Sequence, residues 1–239
     1  MKKYNLTYKP FGASAILIEW PAKIDERIIQ DIISFEKLIA WEAQVADTII
    51  AYNSLTIVFR GTYEFKATVN RLSYLYENKN EGSKQASKCW KVPVCYDLEF
   101  GLDLEEIATT KQLSIEKVIA LHTAPQYLVY FIGFQPGFLY LGGLNEQLHT
   151  PRKSNPRLRV AKGSVGIGGP QTGIYPQDSS GGWNLLGKSP IDFFDITKVH
   201  PCFAKAGDRI KFESIGKEAF IQMENEVQQG KFQLIFFEL

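Results

Sequence analysis

The sequence predicts an α+β protein in two units: a small α+β domain at 1–82, then a β-barrel domain at 88–215 followed by a helix and a strand-like tail at 216–239. Three observations predict it. Strand-like and helix-like periods alternate through the first 76 residues. Between 77 and 87 the chain turns to Asn, Lys, Glu, Gly and Ser with almost nothing apolar, the composition of a linker between separately packed units. From Tyr127 onward, short β-like runs follow one another between glycines and prolines, which favours a barrel over a parallel sheet.

Each element has its own signal. Ser14-Ala15-Ile16-Leu17-Ile18-Glu19-Trp20 reads as a strand, and 24–41 sets Ile28, Ile29, Ile32, Ile33, Leu38 and Ile39 at helical spacing behind Pro21 as a start signal. Thr48-Ile49-Ile50-Ala51-Tyr52 and Leu55-Thr56-Ile57-Val58-Phe59-Arg60 are β-rich on either side of Asn53-Ser54, and a helical pattern with Phe65, Val69, Leu72 and Leu75 follows. That rhythm resembles a ferredoxin-like sandwich. After the linker, 90–96 is strand-like, whereas 102–108 and 115–122 have helical spacing, the second behind Ser114 as N-cap. The strand pattern ends with 208–213, and 217–227 suits a short helix. The closing run Phe232-Gln233-Leu234-Ile235-Phe236-Phe237-Glu238 is apolar enough to dock, with the first domain as one place for it.

Composition excludes several functions. Lys and Arg number 27 against 26 acids, a formal charge of +1, so no global field attracts a nucleic-acid backbone or an anionic membrane surface. No stretch approaches bilayer-spanning length, and the expected location is cytoplasmic. Cys89, Cys95 and Cys202 form no Cys-x-x-Cys pair, which suits idle thiols in a reducing compartment. His122, His149 and His200 lie at no metal-ligand spacing, so no metal site is expected.

Four segments carry candidate chemistry. Gly133-Phe134-Gln135-Pro136-Gly137-Phe138-Leu139-Tyr140-Leu141-Gly142-Gly143 interleaves glycines with aromatics, which suits either a pocket lining or tight barrel turns round an aromatic core. Downstream, Arg152, Lys153, Arg157 and Arg159 sit in a proline-stiffened loop where helical i,i+4 pairing cannot neutralise them. A small anion suits Arg152 and Arg157, by a bidentate grip on a carboxylate or phosphate; a solvated loop or a rim facing an acidic partner is the plain alternative. The glycine-rich 163–176 segment leaves backbone N–H groups to meet an oxyanion, with Gln171 and Tyr175 as inward polar groups, or else supplies barrel corners. Finally, Gly182-Trp183-Asn184-Leu185-Leu186-Gly187-Lys188-Ser189 matches the P-loop pattern letter for letter. It lacks the preceding buried strand and the following helix, since Pro190-Ile191-Asp192-Phe193-Phe194 is strand-like, and Trp183, Leu185 and Leu186 look like core. The match is read as accidental. His122, at the end of a predicted helix, suits a proton carrier or a satisfied structural histidine.

Taken in order, Val92-Pro93-Val94-Cys95-Tyr96, the 99–108 run Glu-Phe-Gly-Leu-Asp-Leu-Glu-Glu-Ile-Ala, Leu121-His122-Thr123, the 133–144 loop, Thr150-Pro151-Arg152, the 163–167 run Gly-Ser-Val-Gly-Ile, the 171–176 run Gln-Thr-Gly-Ile-Tyr-Pro and Gly181-Gly182-Trp183 resemble the family of KipI, the 5-oxoprolinase B subunit (PxpB) and allophanate hydrolase subunit 1. The resemblance spans the whole second domain. It implies a cyclophilin-like barrel of carboxyltransferase-subdomain type behind the ferredoxin-like domain. It also implies one component, inactive alone, of an ATP-dependent 5-oxoprolinase that opens 5-oxo-L-proline to L-glutamate. The implied partners are the A subunit (LamB/YcsF-like) and the C subunit (biotin-dependent carboxyltransferase-like, KipA-like), with ATP bound by the assembled complex. On that reading His122, Arg152, Arg157, Gln171 and Tyr175 are catalytic candidates, and Phe134, Pro136, Phe138, Tyr140 and Trp183 line a substrate pocket or partner groove. The same kinship allows an inhibitor of a sensor histidine kinase, or a subunit related to allophanate hydrolase and urea carboxylase.

Overall fold

In the first unit an apolar helix face and an apolar sheet face must close on each other. The computed structural model describes residues 3–79 and 86–239, and the chain divides into Met1–Ala86 and Ser87–Leu239. The first unit runs β1 (Thr7–Pro10), β2 (Ala15–Glu19), α1 (Glu26–Ile39), β3 (Val45–Ile50), β4 (Ser54–Phe59) and α2 (Phe65–Glu77). Its sheet is antiparallel, in the order β1-β2-β4-β3. Alternation in β4 buries Leu55, Ile57 and Phe59, and the helical period of α1 buries Ile28, Ile29, Ile32, Ile33, Phe35 and Ile39. The Asp25 carboxylate accepts the Arg27 N–H and sets the helix start, in place of the Pro21 signal.

The expected ferredoxin-like connectivity is not the one found. That motif runs βαββαβ, whereas this unit runs ββαββα, with an edge strand ahead of the first central strand instead of one after the second helix. β1 has no sequence signal because Thr7–Pro10 is a largely exposed edge ending in Lys9 and Pro10. Of the expected linker, residues 80–85 lie outside the described residues.

The second unit runs β5 (Lys88–Cys95), α3 (Leu104–Lys111), α4 (Ile115–Thr123), β6 (Tyr127–Ile132), β7 (Leu139–Gly142), β8 (Arg157–Val160), β9 (Ser164–Gly168), β10 (Gln171–Ile174), β11 (Ser179–Gly181), β12 (Asn184–Lys188), β13 (Arg209–Ile215), α5 (Lys217–Gln228) and β14 (Phe236–Glu238). Seven strands close a barrel in the order β12-β9-β10-β7-β6-β13-β5, and Cys95 of β5 pairs with Lys188 of β12 to complete the ring. β5 and β13 are parallel from Arg209/Cys89 to Ile215/Cys95. β8 and β11 form a separate antiparallel ribbon. Val92, Val94, Val129, Leu141, Val165 and Ile210 fill the interior together with Tyr127 and Phe212; each fully buried aliphatic side chain contributes about 1.5–3 kcal/mol.

Closure of the ring explains one glycine of the P-loop look-alike. A Cβ on Gly187 would stand 2.5 Å from the Cys95 carbonyl oxygen, so β12 can approach β5 only with glycine there. The segment is a strand, and Lys188 pairs with Glu224 of α5 at 3.4 Å. Pro190–Phe194, expected to be strand-like, carries no regular strand, although Ile191 and Phe193 are buried.

Residues 216–239 are part of the barrel unit. β14 pairs antiparallel with Lys88–Trp90, on the side of β5 that β13 leaves open, and Phe236 lies 4.8 Å from the Trp90 ring. This corrects the tail's expected place on the first domain: unpaired strand edges recruit strands, and the edge of β5 is the partner found.

Candidate functional site

The loop that joins β7 to β8 is fixed by its backbone before any ligand arrives. The Gly169 N–H donates to the Thr150 carbonyl at 2.7 Å, Asn184 Nδ2 donates to the Pro151 carbonyl at 2.9 Å, and the Lys153 N–H donates to the Gly182 carbonyl at 2.7 Å. Asn184 is 4% exposed, so its amide is a buried clamp. Between these anchors lies an open hollow of about 440 Å³ lined by Glu106, Thr150, Pro151, Arg152, Lys153, Ser154, Asn155 and Asn184.

The cations of the loop differ sharply in their partners. Asp103, the residue before α3, makes no side-chain cap to its helix and reaches across to β12, where Oδ2 accepts the Leu185 N–H at 2.7 Å. Its Oδ1 accepts from Arg157 Nη2 at 2.7 Å and from Lys153 Nζ at 2.8 Å. Burial pushes the Asp103 carboxyl up, but the bonds from Arg157, Lys153 and Leu185 outweigh it and hold the group below the usual carboxylate range. Lys153 also meets Glu106 at 2.9 Å, and Arg159 meets Asp178 at 2.8 Å. Arg152 has no carboxylate partner among the described residues. Its guanidinium stands 5.5 Å from the ring centroid of Trp183, in the range of a cation–π contact.

Trp183 belongs to a small aromatic cluster with Phe138, Val160, Tyr175 and Leu185, against which Tyr140 packs. Phe138 meets Trp183 and Tyr175 edge-on at 5.5 and 5.6 Å. Burial raises the phenols of Tyr140 and Tyr175; Arg152 offsets part of the first shift, the Trp183 backbone and then Arg152 part of the second, and both phenols are neutral at physiological pH. Gln171 is the cross-strand partner of Gly168, where an added Cβ would meet Arg152 Cγ and the Trp183 indole at 3.0–3.1 Å. Phe134 is 65% exposed at φ +64, a left-handed conformation that costs a non-glycine residue about 1–2 kcal/mol, and its ring meets Phe138 at 5.6 Å. Pro136, beside it, is exposed.

The structure therefore brings Arg152, Tyr140, Tyr175, Phe138 and Trp183 together, with Gln171 one strand away and Phe134 and Pro136 on the outer loop. Two candidates fall elsewhere. Arg157 bonds Asp103 through Nη2, its Nη1 is buried without a hydrogen-bond partner, and it does not line the hollow. His122 is 0% exposed in the barrel interior, stacked on Phe212 at 4.8 Å, so it has no solvent-facing atom with which to carry a proton. Thr172 Oγ1 donates to the Gly166 carbonyl, so it accepts from His122 Nε2–H at 2.8 Å, which leaves Nδ1 to accept from the Tyr96 hydroxyl at 2.7 Å. Burial lowers this imidazole to about pKa 3. Asp103, Glu106 and Asn184 were not chosen from sequence: an aspartate ahead of a helix reads as an N-cap, and only the fold turns it towards β12. Among the described residues no group of three or more His, Cys, Asp and Glu side chains is placed to hold a metal ion, and no helix is long and apolar enough to cross a membrane.

An α+β unit followed by this closed barrel defines a class: residues 6–204 match the family model of the carboxyltransferase domain, subdomain C and D. Within that class, the B subunit of 5-oxoprolinase from Haemophilus influenzae is 39% identical over 203 residues, 85% of this chain and 95% of the relative. Its counterpart of the same name from Bacillus subtilis is 48% identical over 130 residues, 54% of each chain. The crystal structure of TTHA0988 superposes with a TM-score of 0.73 at 33% identity, over 84% of this chain and 40% of that longer one. The chain belongs to the family of allophanate hydrolase subunit 1 and the B subunit of 5-oxoprolinase.

Proposed function

We propose that this chain is the B subunit of an ATP-dependent 5-oxoprolinase, working with the A and C subunits to open 5-oxo-L-proline to L-glutamate. Three curated relatives with that name, 39–48% identical, support the reading. The observation that carries it is Arg152, without a carboxylate partner among the described residues, over Trp183 at the edge of the hollow. A guanidinium with no internal carboxylate is poised to take an external one, and 5-oxoproline bears one carboxylate on a small, nearly planar ring.

The chemical difficulty is the lactam. An unactivated amide carbonyl is a poor electrophile, and ATP bound by the assembly would supply the phosphoryl group that makes its oxygen leave. This chain's part is to bind and orient. Arg152 holds the carboxylate, the Trp183 cluster excludes water on one side, and Tyr140 and Tyr175 stay neutral beside it. His122 takes no part here, because it is sealed in the barrel.

Reconstitution with the two companion subunits, ATP and 5-oxo-L-proline tests the proposal by glutamate release. Arg152→Gln is expected to lower kcat/KM about 100-fold, with Arg152→Lys in between because it keeps the charge but loses the planar fork. No glutamate from the parent assembly, or an Arg152→Gln assembly as active as the parent, would overturn it.

A further inference from the structure

A buried acid holds one of the cations that line the hollow beside Arg152. Between 150 and 159 the loop carries four cations, Arg152, Lys153, Arg157 and Arg159. Asp103, whose side chain is 2% exposed, takes Lys153 and Arg157 on one oxygen and the Leu185 N–H on the other. Asp178 takes Arg159. A charge buried this deeply is retained only where its partners match it, and here they draw two cations inward from a loop that otherwise faces an anion with all of its charge. A phosphate or sulfate dianion competes with its own hydration and needs two or more charge-assisted donors. A carboxylate is matched by a single guanidinium fork.

We propose that Asp103 is the specificity-determining residue of this site: by holding Lys153 and Arg157 it leaves Arg152 as the cation of the hollow's lining with no acid paired to it among the described residues, and so selects a singly charged carboxylate over phosphate, sulfate or the phosphate tail of a nucleotide. The inference rests on the reading of the hollow as a ligand site. It assigns the nucleotide's phosphates to another part of the assembly. Asp103 touches no ligand in this arrangement; it acts through the two cations it restrains.

The test is equilibrium binding to the full chain, with 5-oxo-L-proline and inorganic phosphate as separate probes. The parent is expected to bind 5-oxo-L-proline at least about tenfold tighter than phosphate, and Arg152→Gln to lose the carboxylate. Asp103→Asn frees Arg157 and leaves Lys153, which lines the hollow, with only the exposed Glu106 as its acid; phosphate affinity should rise about tenfold while carboxylate affinity stays within about threefold. Asp103→Glu should restore the parental preference. If Asp103→Asn does not fold, Arg157→Gln decides: its guanidinium is bonded to Asp103 and does not line the hollow, so carboxylate affinity should hold within about threefold, and a loss as large as that of Arg152→Gln overturns the proposal. Equal binding of both probes by the parent, or an unchanged preference in folded Asp103→Asn, overturns the role of Asp103 but leaves the hollow as a site. Neither probe binding the parent removes the hollow itself, and the inference with it.

Discussion

Arg152 and Arg157 share one loop and one residue type, yet a buried aspartate separates their fates. Arg157 is bonded to Asp103 at 2.7 Å, while Arg152 lies on an indole ring with no acid paired to it among the described residues. The two substitutions should therefore fail differently: Arg157→Gln leaves Asp103 with fewer partners and lowers stability by about 2 kcal/mol, measured by denaturant titration, whereas Arg152→Gln costs within about 0.5 kcal/mol and acts on ligand binding. His122 supplies a pH signature. Its imidazole falls from an ordinary value near 6.5 to about 3 in the fold, so below pH 6.5 the unfolded chain binds a proton that the folded chain refuses. Its contribution to stability is complete above pH 6.5 and is lost as pH falls towards 3, roughly 2 kcal/mol of it between pH 6.5 and 5. Urea midpoints across that window should show the slope, and His122→Asn should flatten it; an unchanged slope in the variant would place the titrating group elsewhere.

β12 shows why a sequence motif is not a site. A phosphate-cradling loop needs free backbone N–H groups at a helix N-terminus, but β12 is held in strand pairing with β9, and Lys188 faces Glu224. Lys188→Ala should leave ATP affinity of the assembled complex unchanged and stability within about 1 kcal/mol. Gly187→Ala, by contrast, drives a methyl to 2.5 Å from the Cys95 carbonyl at the point where the barrel closes. A loss of about 2 kcal/mol or more is expected, read from the thermal midpoint. If the second substitution proves as mild as the first, β12 does not close the ring as described.

For the chain as a whole, the polar groups at the hollow are the Arg152 guanidinium, the amides of Asn155 and Asn184 and the hydroxyls of Thr150 and Ser154, with Glu106 held by Lys153. They can bind and orient, but they do not combine nucleotide site, base and carbonyl activation. The purified chain without companions is expected to release no glutamate from 5-oxo-L-proline with ATP present. Turnover by the isolated chain, free of partner contamination, would show that a complete active site exists within these residues.

Sequence by itself determined the parts of this protein that rest on local periods and local sterics. The α1 and α2 helices, β4, the Ser114 cap of α4 and the glycine-punctuated barrel strands follow from spacing and turn chemistry that each segment carries alone. The accidental P-loop was legible only in part: no helix follows it, as expected, but the strand-like run expected at 190–194 does not form. What only the tertiary structure decided involves partners distant along the chain. β1 is an edge strand whose register comes from β2, and the tail finds β5 more than 140 positions earlier. Most consequential is Asp103, which meets Arg157 from 54 positions away and Leu185 from 82. Charge type is written at each residue, but whether a charge is paired or free depends on which elements the fold brings within about 3 Å, and that pairing separates Arg157 from Arg152 and seals His122 in the core.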